Sequence, residues 1–246
     1  MQAVFLCLFM LFHLAGDTPK VIETPQYPLG TIERMKFQVS VWETVSVSPY
    51  PLLERSQASV CAERPASLRI DLRIYNELRQ TNMSAETVTF LGLSHPDLIV
   101  TDGKTQLWYS DFTINIQDTF PGVSNLTNVF VAHRSSIIVA PELLFSKDPI
   151  KAYKLKYQGI KPFQGGKGYC YLWDKKGEKR PTRSYLYLGL KDRLPLLLSG
   201  QSLDRKGEWH EVFREYYSNW QLNPVFSPEV FAVRVPTKTS PENPPK

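Results

Sequence analysis

Arg64-Pro65-Ala66-Ser67-Leu68-Arg69-Ile70-Asp71-Leu72-Arg73-Ile74-Tyr75, followed by Leu98-Ile99-Val100-Thr101-Asp102-Gly103-Lys104-Thr105-Gln106-Leu107-Trp108-Tyr109, is the part of the chain whose reading decides the fold. Leu68, Ile70, Leu72 and Ile74 alternate with Arg69, Asp71, Arg73 and Tyr75, so a side-chain period of two puts one apolar and one polar face on a half-buried strand. Asp102-Gly103 stands between two further strand-forming runs and supplies the positive φ angles of a tight hairpin. The stretch predicts antiparallel sheet.

Working outward, Phe37, Val39 and Val41 alternate with Gln38, Ser40 and Trp42 in a strand predicted over Met35–Val47, and Leu53–Glu63 forms the next. Beyond residue 150, strands are predicted at Tyr153–Tyr157, Gly168–Trp173, Ser184–Leu190, Leu194–Ser199, Trp209–Trp220 and Val230–Val235, bounded by Gly, Pro, Asp and Lys clusters. That makes roughly ten strands in a mainly β chain. The period changes at Ser124. Leu126, Val129, Phe130, His133, Ile137 and Ala140 recur at intervals of three and four, predicting an amphipathic helix that ends at Pro141, with a second short helix from Pro141 to Phe145.

The 246 residues suit one domain, taken as 31–236. Residues 1–16, with the apolar run Ala3–Ala15, have the length of a secretory signal core, too short to cross a bilayer. No Lys or Arg precedes the run, so a buried N-terminal helix and a start placed inside a longer protein stay open. Residues 17–30 contain three prolines and read as an extended linker, and 237–246 as a disordered Pro-rich tail. The expected location is the periplasm or the outside of the cell.

The formal charge is +5, but residues 147–193 carry 13 Lys or Arg against Asp148, Asp174, Glu178 and Asp192, a local excess of +9. A solvated basic face and an attraction to an anionic membrane surface or acidic partner both fit this. Nucleic acid is not expected, because no recognition helix, zinc spacing or aromatic RNA-binding signature accompanies the charge. Cys61 and Cys170 are an even pair once Cys7 is set aside with the signal, and they read either as a disulfide or as two buried thiols.

Few features of the sequence look catalytic. His13, His95, His133 and His210 are scattered singly, and His210 and Glu211 point to opposite faces of a strand. Ser94-His95-Pro96-Asp97 are neighbours in an extended loop and cannot pack as a triad. Gln164-Gly165-Gly166-Lys167-Gly168 lacks phosphate-loop spacing and precedes a strand, so it reads as a hairpin turn. The expectation is a non-enzymatic protein with no cofactor and no metal.

Arg64-Pro65 at a strand end, followed by Thr101-Asp102-Gly103-Lys104-Thr105-Gln106-Leu107-Trp108-Tyr109, resembles the LolA-like family of periplasmic lipoprotein carriers and their uncharacterised periplasmic relatives, with Gln106 as one inserted residue. Leu188–Pro195 and the closing Asn223-Pro224 and Pro228–Pro236 stretches are similar to the family's back half. The resemblance, covering residues 31–236, implies an unclosed, strongly curved antiparallel β-barrel with a helical lid. It implies a cavity for acyl chains of a lipid or lipoprotein, lined by Phe37, Val39, Val41, Ile70 and Leu72 and closed by Leu126, Phe130 and Ile137 of the helix. By the same resemblance Arg64 is the arginine that bonds to the lid and biases its opening. The family's long N-terminal helix has no counterpart in 17–30, unless the Ala3–Ala15 run supplies it. A structural or interaction module of the same fold is the alternative, with Phe37, Trp108, Tyr169, Tyr171 and Trp173 filling the cavity.

Overall fold

The computed structural model describes residues 25–43, 53–74, 98–109, 114–118, 141–175 and 182–235. The predicted signal segment, the helix at Ser124–Ala140 with Leu126, Phe130 and Ile137, and the 237–246 tail lie outside the described residues.

Among the described residues eleven strands form one antiparallel sheet: β1 (Arg34–Glu43), β2 (Leu53–Glu63), β3 (Ser67–Ile74), β4 (Leu98–Thr101), β5 (Thr105–Tyr109), β6 (Ile114–Asp118), β7 (Lys156–Phe163), β8 (Gly166–Lys175), β9 (Thr182–Leu188), β10 (Pro195–Leu203) and β11 (Trp209–Leu222). The spatial order is β6-β5-β4-β3-β2-β1-β11-β10-β9-β8-β7. Each half is therefore a meander, and the chain's two halves meet where β1 pairs with β11. The sheet is curved and unclosed, with β6 and β7 as its ends.

Alternation sets the two faces. Phe37 pairs with Val60 and Val60 with Ile70, while Val39 pairs with Ala58 and Ala58 with Leu72, so these residues share the inner face. Across the β1–β11 seam Val39 meets Tyr217, and farther on Leu186, Leu188, Leu198 and Tyr171 continue the same core. A smaller apolar cluster of Leu98, Val100 and Leu107 lies on the outer face, with Tyr109 and Val233 against it. The 3-10 turn Pro228–Phe231 leads into Val233 on that side.

Turn chemistry fixes the ladder ends. Asp102 Oδ1 accepts from the amides of Lys104 and Thr105, and Gly103 sits at φ 91°, so the β4–β5 hairpin forms where Asp-Gly predicted it. Asn223, at φ 49°, accepts with Oδ1 from the amides of Glu33 and Arg34 and ties the end of β11 to the start of β1.

Five local readings change. The strand predicted at Val230–Val235 is replaced by the 3-10 turn Pro228–Phe231, with Pro at its start. Tyr153–Tyr157 is mostly the exit of a short helix, α2 (Pro149–Ala152), capped by Asp148 accepting from the Lys151 amide; β7 begins only at Lys156. β6 had no reading, because five residues are too few to show a period. The supposed linker is packed from Pro25 onward, with Tyr27 and Leu29 in the core. Lastly, Cys61 and Cys170 are not bridged: both are buried free thiols. They lie on β2 and β8, with four strands between them in the sheet. At about 4.8 Å per step the five steps from β2 to β8 span about 24 Å along the sheet, far beyond disulfide reach. The predicted short helix at the other place does form, as α1 (Pro141–Phe145).

Candidate functional site

Residues 25–32 form a strap along the inner face of the sheet, and the site is built around it. Leu29–Thr31 make one 3-10 turn, with Leu29 fully buried, and Tyr27, Leu29 and Ile32 belong to the main core. Apolar burial alone would leave backbone carbonyls of the strap and of α1 unsatisfied, and three side chains from separate elements supply donors. The Tyr171 hydroxyl on β8 donates to the Pro25 carbonyl at 3.0 Å. Tyr27, on the strap itself, donates to the Leu144 carbonyl of α1 at 2.8 Å.

The third donor is Arg64. Its Nε donates to the Ile32 carbonyl at 2.8 Å, and Nη2 donates to Leu29 at 3.1 Å and Gly30 at 3.3 Å. Its own amide donates to the Glu33 carbonyl at 2.9 Å. A planar guanidinium is the one side chain that can serve three carbonyls from a fixed fork. The strand-end Arg-Pro pair thus places a cation at the carbonyl end of the strap's turn, where the peptide dipoles favour it.

The strap and α1 are tightly fitted. A Cβ on Gly30 would stand 1.6 Å from the Lys147 carbonyl oxygen, so only glycine fits between strap and the α1–α2 loop. Under them, Phe37 stacks on Trp220 at 4.4 Å between centroids and meets Phe145 of α1 and Tyr217, each at 6.0 Å. Trp220 is held by its indole N–H donating to the Pro195 carbonyl at 2.8 Å.

The inner face also carries polar groups. Glu215 is fully buried and accepts from the Tyr217 hydroxyl. Burial, and then the charge of Glu215, push the Tyr217 phenol well above its ordinary range; burial does the same to Tyr27. Gln106 continues the β5 register opposite Thr101, with Leu107 on the outer face; its Nε2 and the Ser56 Oγ are buried without hydrogen-bond partners among the described residues.

Of the residues expected to line the site, Phe37, Val39, Val41, Ile70 and Leu72 are all buried on this one face, and Arg64 is at its strap-bearing edge. Sequence reasoning missed Tyr27, Tyr171 as a strap donor, and Glu215. Glu215 had a readable signal, since it occupies the inward phase between Phe213 and Tyr217. It also missed that the β10–β11 turn gathers Asp204, Glu208 and His210, the Asp204 carboxylate lying 2.9 Å from His210 Nε2. That turn is solvent-facing, and backbone amides of Glu208 and Lys206, with His210, hold the Asp204 carboxyl below its usual range. Exposed Lys147, Lys151, Lys154 and Lys156 place part of the predicted basic excess on the α1–α2–β7 corner, next to the strap. Among the described residues no helix is long and apolar enough to cross a membrane.

No protein-family model matches the chain, and no curated protein matches it in sequence. Among solved structures it is similar to a LolA superfamily protein of Nitrosomonas europaea, at 9% identity over 84% of this chain and 92% of the other, with a TM-score of 0.34. It is also similar to a domain of Vibrio parahaemolyticus described as an outer membrane lipoprotein-sorting protein, at 7% identity over 81% and 89%, with a TM-score of 0.32.

Proposed function

We propose that this chain is a non-enzymatic protein of the cell envelope, in the periplasm or secreted, that takes acyl chains of a lipid or lipoprotein against the inner face of its open sheet, as a carrier or sensor. The observation that carries the reading is how that face is closed. A strap and a short helix cover it, and what fixes them is a few polar donors, Arg64, Tyr27 and Tyr171, rather than strand pairing. Such a cover lifts by exchanging a few hydrogen bonds with water and by baring Tyr27, Leu29, Leu144 and Phe145, whereas the sheet beneath stays whole. An acyl chain entering would gain about 0.8 kcal/mol per buried methylene and would take the place of the apolar burial that the lifted cover gives up. The lysine corner beside the strap fits docking on an anionic membrane surface.

The test is extraction of the natively purified protein followed by mass measurement, with titration of a fluorescent fatty-acyl probe. Copurified lipid and saturable probe binding support the reading; an empty protein that binds no probe overturns it.

A second reading rests on the aromatic packing. Phe37, Phe145, Tyr217 and Trp220 already fill the face beneath α1, as an interaction module with a closed core would require. In that case probe binding is absent until Phe37 is truncated.

A further inference from the structure

The outer face of the sheet carries a polar trough where β11, β1, β2 and β3 run side by side. Ser218 pairs with Gln38, Gln38 with Ser59 and Ser59 with Asp71; one row along, Tyr216 pairs with Ser40, Ser40 with Gln57 and Gln57 with Arg73. Alternation puts all of these on the face opposite Phe37, Val39 and Ala58. Short and long side chains therefore take turns along both rows, and out of step between them. The three serines make a zigzag floor with the longer side chains around it, and the space they leave is about 260 Å³. The next row has no such gap: Cys61, between Lys36 and Arg69, is buried.

The lining is mixed in its chemistry and balanced in charge. Serine hydroxyls and glutamine amides each offer both a donor and an acceptor. Asp71 is held by the Arg69 fork, Nε donating to Oδ2 at 2.8 Å and Nη2 to Oδ1 at 2.6 Å, and each carboxylate oxygen keeps a second lone pair for another donor. Arg73 stands two residues along β3 on the same face, so the two charges of the lining cancel. Gln38 is fixed as well, its Oε1 accepting from Asn219 Nδ2 at 2.6 Å. At the β11 end Tyr216 is half-buried beside Ser40, its hydroxyl accepting from Arg214 Nη1 at 3.1 Å.

We propose that this trough is a binding site for a neutral saccharide chain. A charged ligand finds no excess of the opposite charge in the lining, and an apolar one finds no apolar floor. A sugar ring carries neighbouring hydroxyls that each donate and accept, which matches the serine and glutamine groups, with Asp71 taking donors and Arg73 serving acceptors. Tyr216 offers an amphipathic ring for one sugar face to lie against. From β11 to β3 the trough crosses three strand spacings, about 14 Å, so it accommodates more than one ring. It is shallow and exchanges polar contacts for water, so binding is weak, with a Kd on the order of 1 mM.

The site lies on the face opposite the acyl-binding one proposed above and does not depend on it. The test is amide NMR of the full chain titrated with cellobiose and with diacetylchitobiose, using inorganic phosphate and trialanine as comparison ligands. The expected result is saturable shifts at residues 38–40, 57–59, 71–73 and 218 with a disaccharide, and none there with phosphate or trialanine. Ser59→Val, which keeps strand propensity and fills the floor, abolishes them. Asp71→Asn weakens binding by roughly tenfold and covers the case in which the valine variant fails to fold. Both variants treat a fatty-acyl probe as the unchanged chain does. No saturable shift with either disaccharide, shifts that fall outside the trough, or binding indifferent to both variants overturns the proposal. Equal occupancy of the trough by phosphate or trialanine overturns its assignment to a sugar.

Discussion

Arg64 Nε donates to the Ile32 carbonyl at 2.8 Å, and the same guanidinium reaches the Leu29 and Gly30 carbonyls. One strand-end side chain thereby holds the end of a strap that covers the core of the sheet. Arg64→Ala leaves these carbonyls to find water or go unpaired. The expected cost is about 2–3 kcal/mol, read as a lower denaturation midpoint. Arg64→Lys, a single ammonium in place of a fork, recovers only part of it. If acyl chains enter under the strap, probe exchange quickens in both variants.

Gly30→Ala should act on the same contact from the opposite side. Its Cβ would overlap the Lys147 carbonyl, so strap and α1 must part. Faster amide exchange in residues 25–32 and 141–147, with β1–β3 unchanged, is the expected pattern; an unchanged strap counts against the tight fit.

Phe37→Ala removes the ring at the centre of the aromatic cluster and should cost about 3–5 kcal/mol by thermal or chemical denaturation. It also separates the two functional readings. A protein that binds a fatty-acyl probe only after this change has a filled core, and one that binds before it has an accessible face.

The buried phenols set an alkaline limit. Tyr27 and Tyr217 titrate above the ordinary value of 10.0 in the folded chain, so they contribute stability that is whole below pH 10. Above it the unfolded state loses protons that the folded state keeps, and stability falls as pH rises toward the folded values. Each phenol contributes a slope of about 1.4 kcal/mol per pH unit in that window. Tyr27→Phe should flatten the alkaline denaturation curve; an unchanged slope refutes the assignment.

Cys61 and Cys170 should both titrate as free thiols in denaturant without reductant, and react slowly with iodoacetamide when folded. Burial is the first cause of the raised pKa at each, which keeps the unreactive thiol form. A bridged pair would show neither thiol on denaturation.

Much of the sheet was legible because alternation is a local property. Leu53–Glu63 and the Asp102-Gly103 hairpin follow from residues within a few positions of each other, and so does the inner-face set of Phe37, Val39, Val41, Ile70 and Leu72. Arg64 could be singled out by resemblance alone; its partners lie 32 to 35 residues earlier in a segment without any period. That segment looked like a linker because prolines hide a burial pattern that only α1 and β8 complete.

The sequence by itself determined most of the strands, the apolar face of those around Phe37 and Ile70, and the Asp102-Gly103 turn, since side-chain period and turn propensity act over a few residues. Only the tertiary structure decided that β1 closes on β11, that Pro25–Ile32 lies as a strap held by Arg64 and Tyr171 and tied to α1 through Tyr27, and that Cys61 and Cys170 stand with four strands between them. Those outcomes depend on which distant groups compete to satisfy buried carbonyls and apolar surface, a competition settled only when the whole sheet assembles.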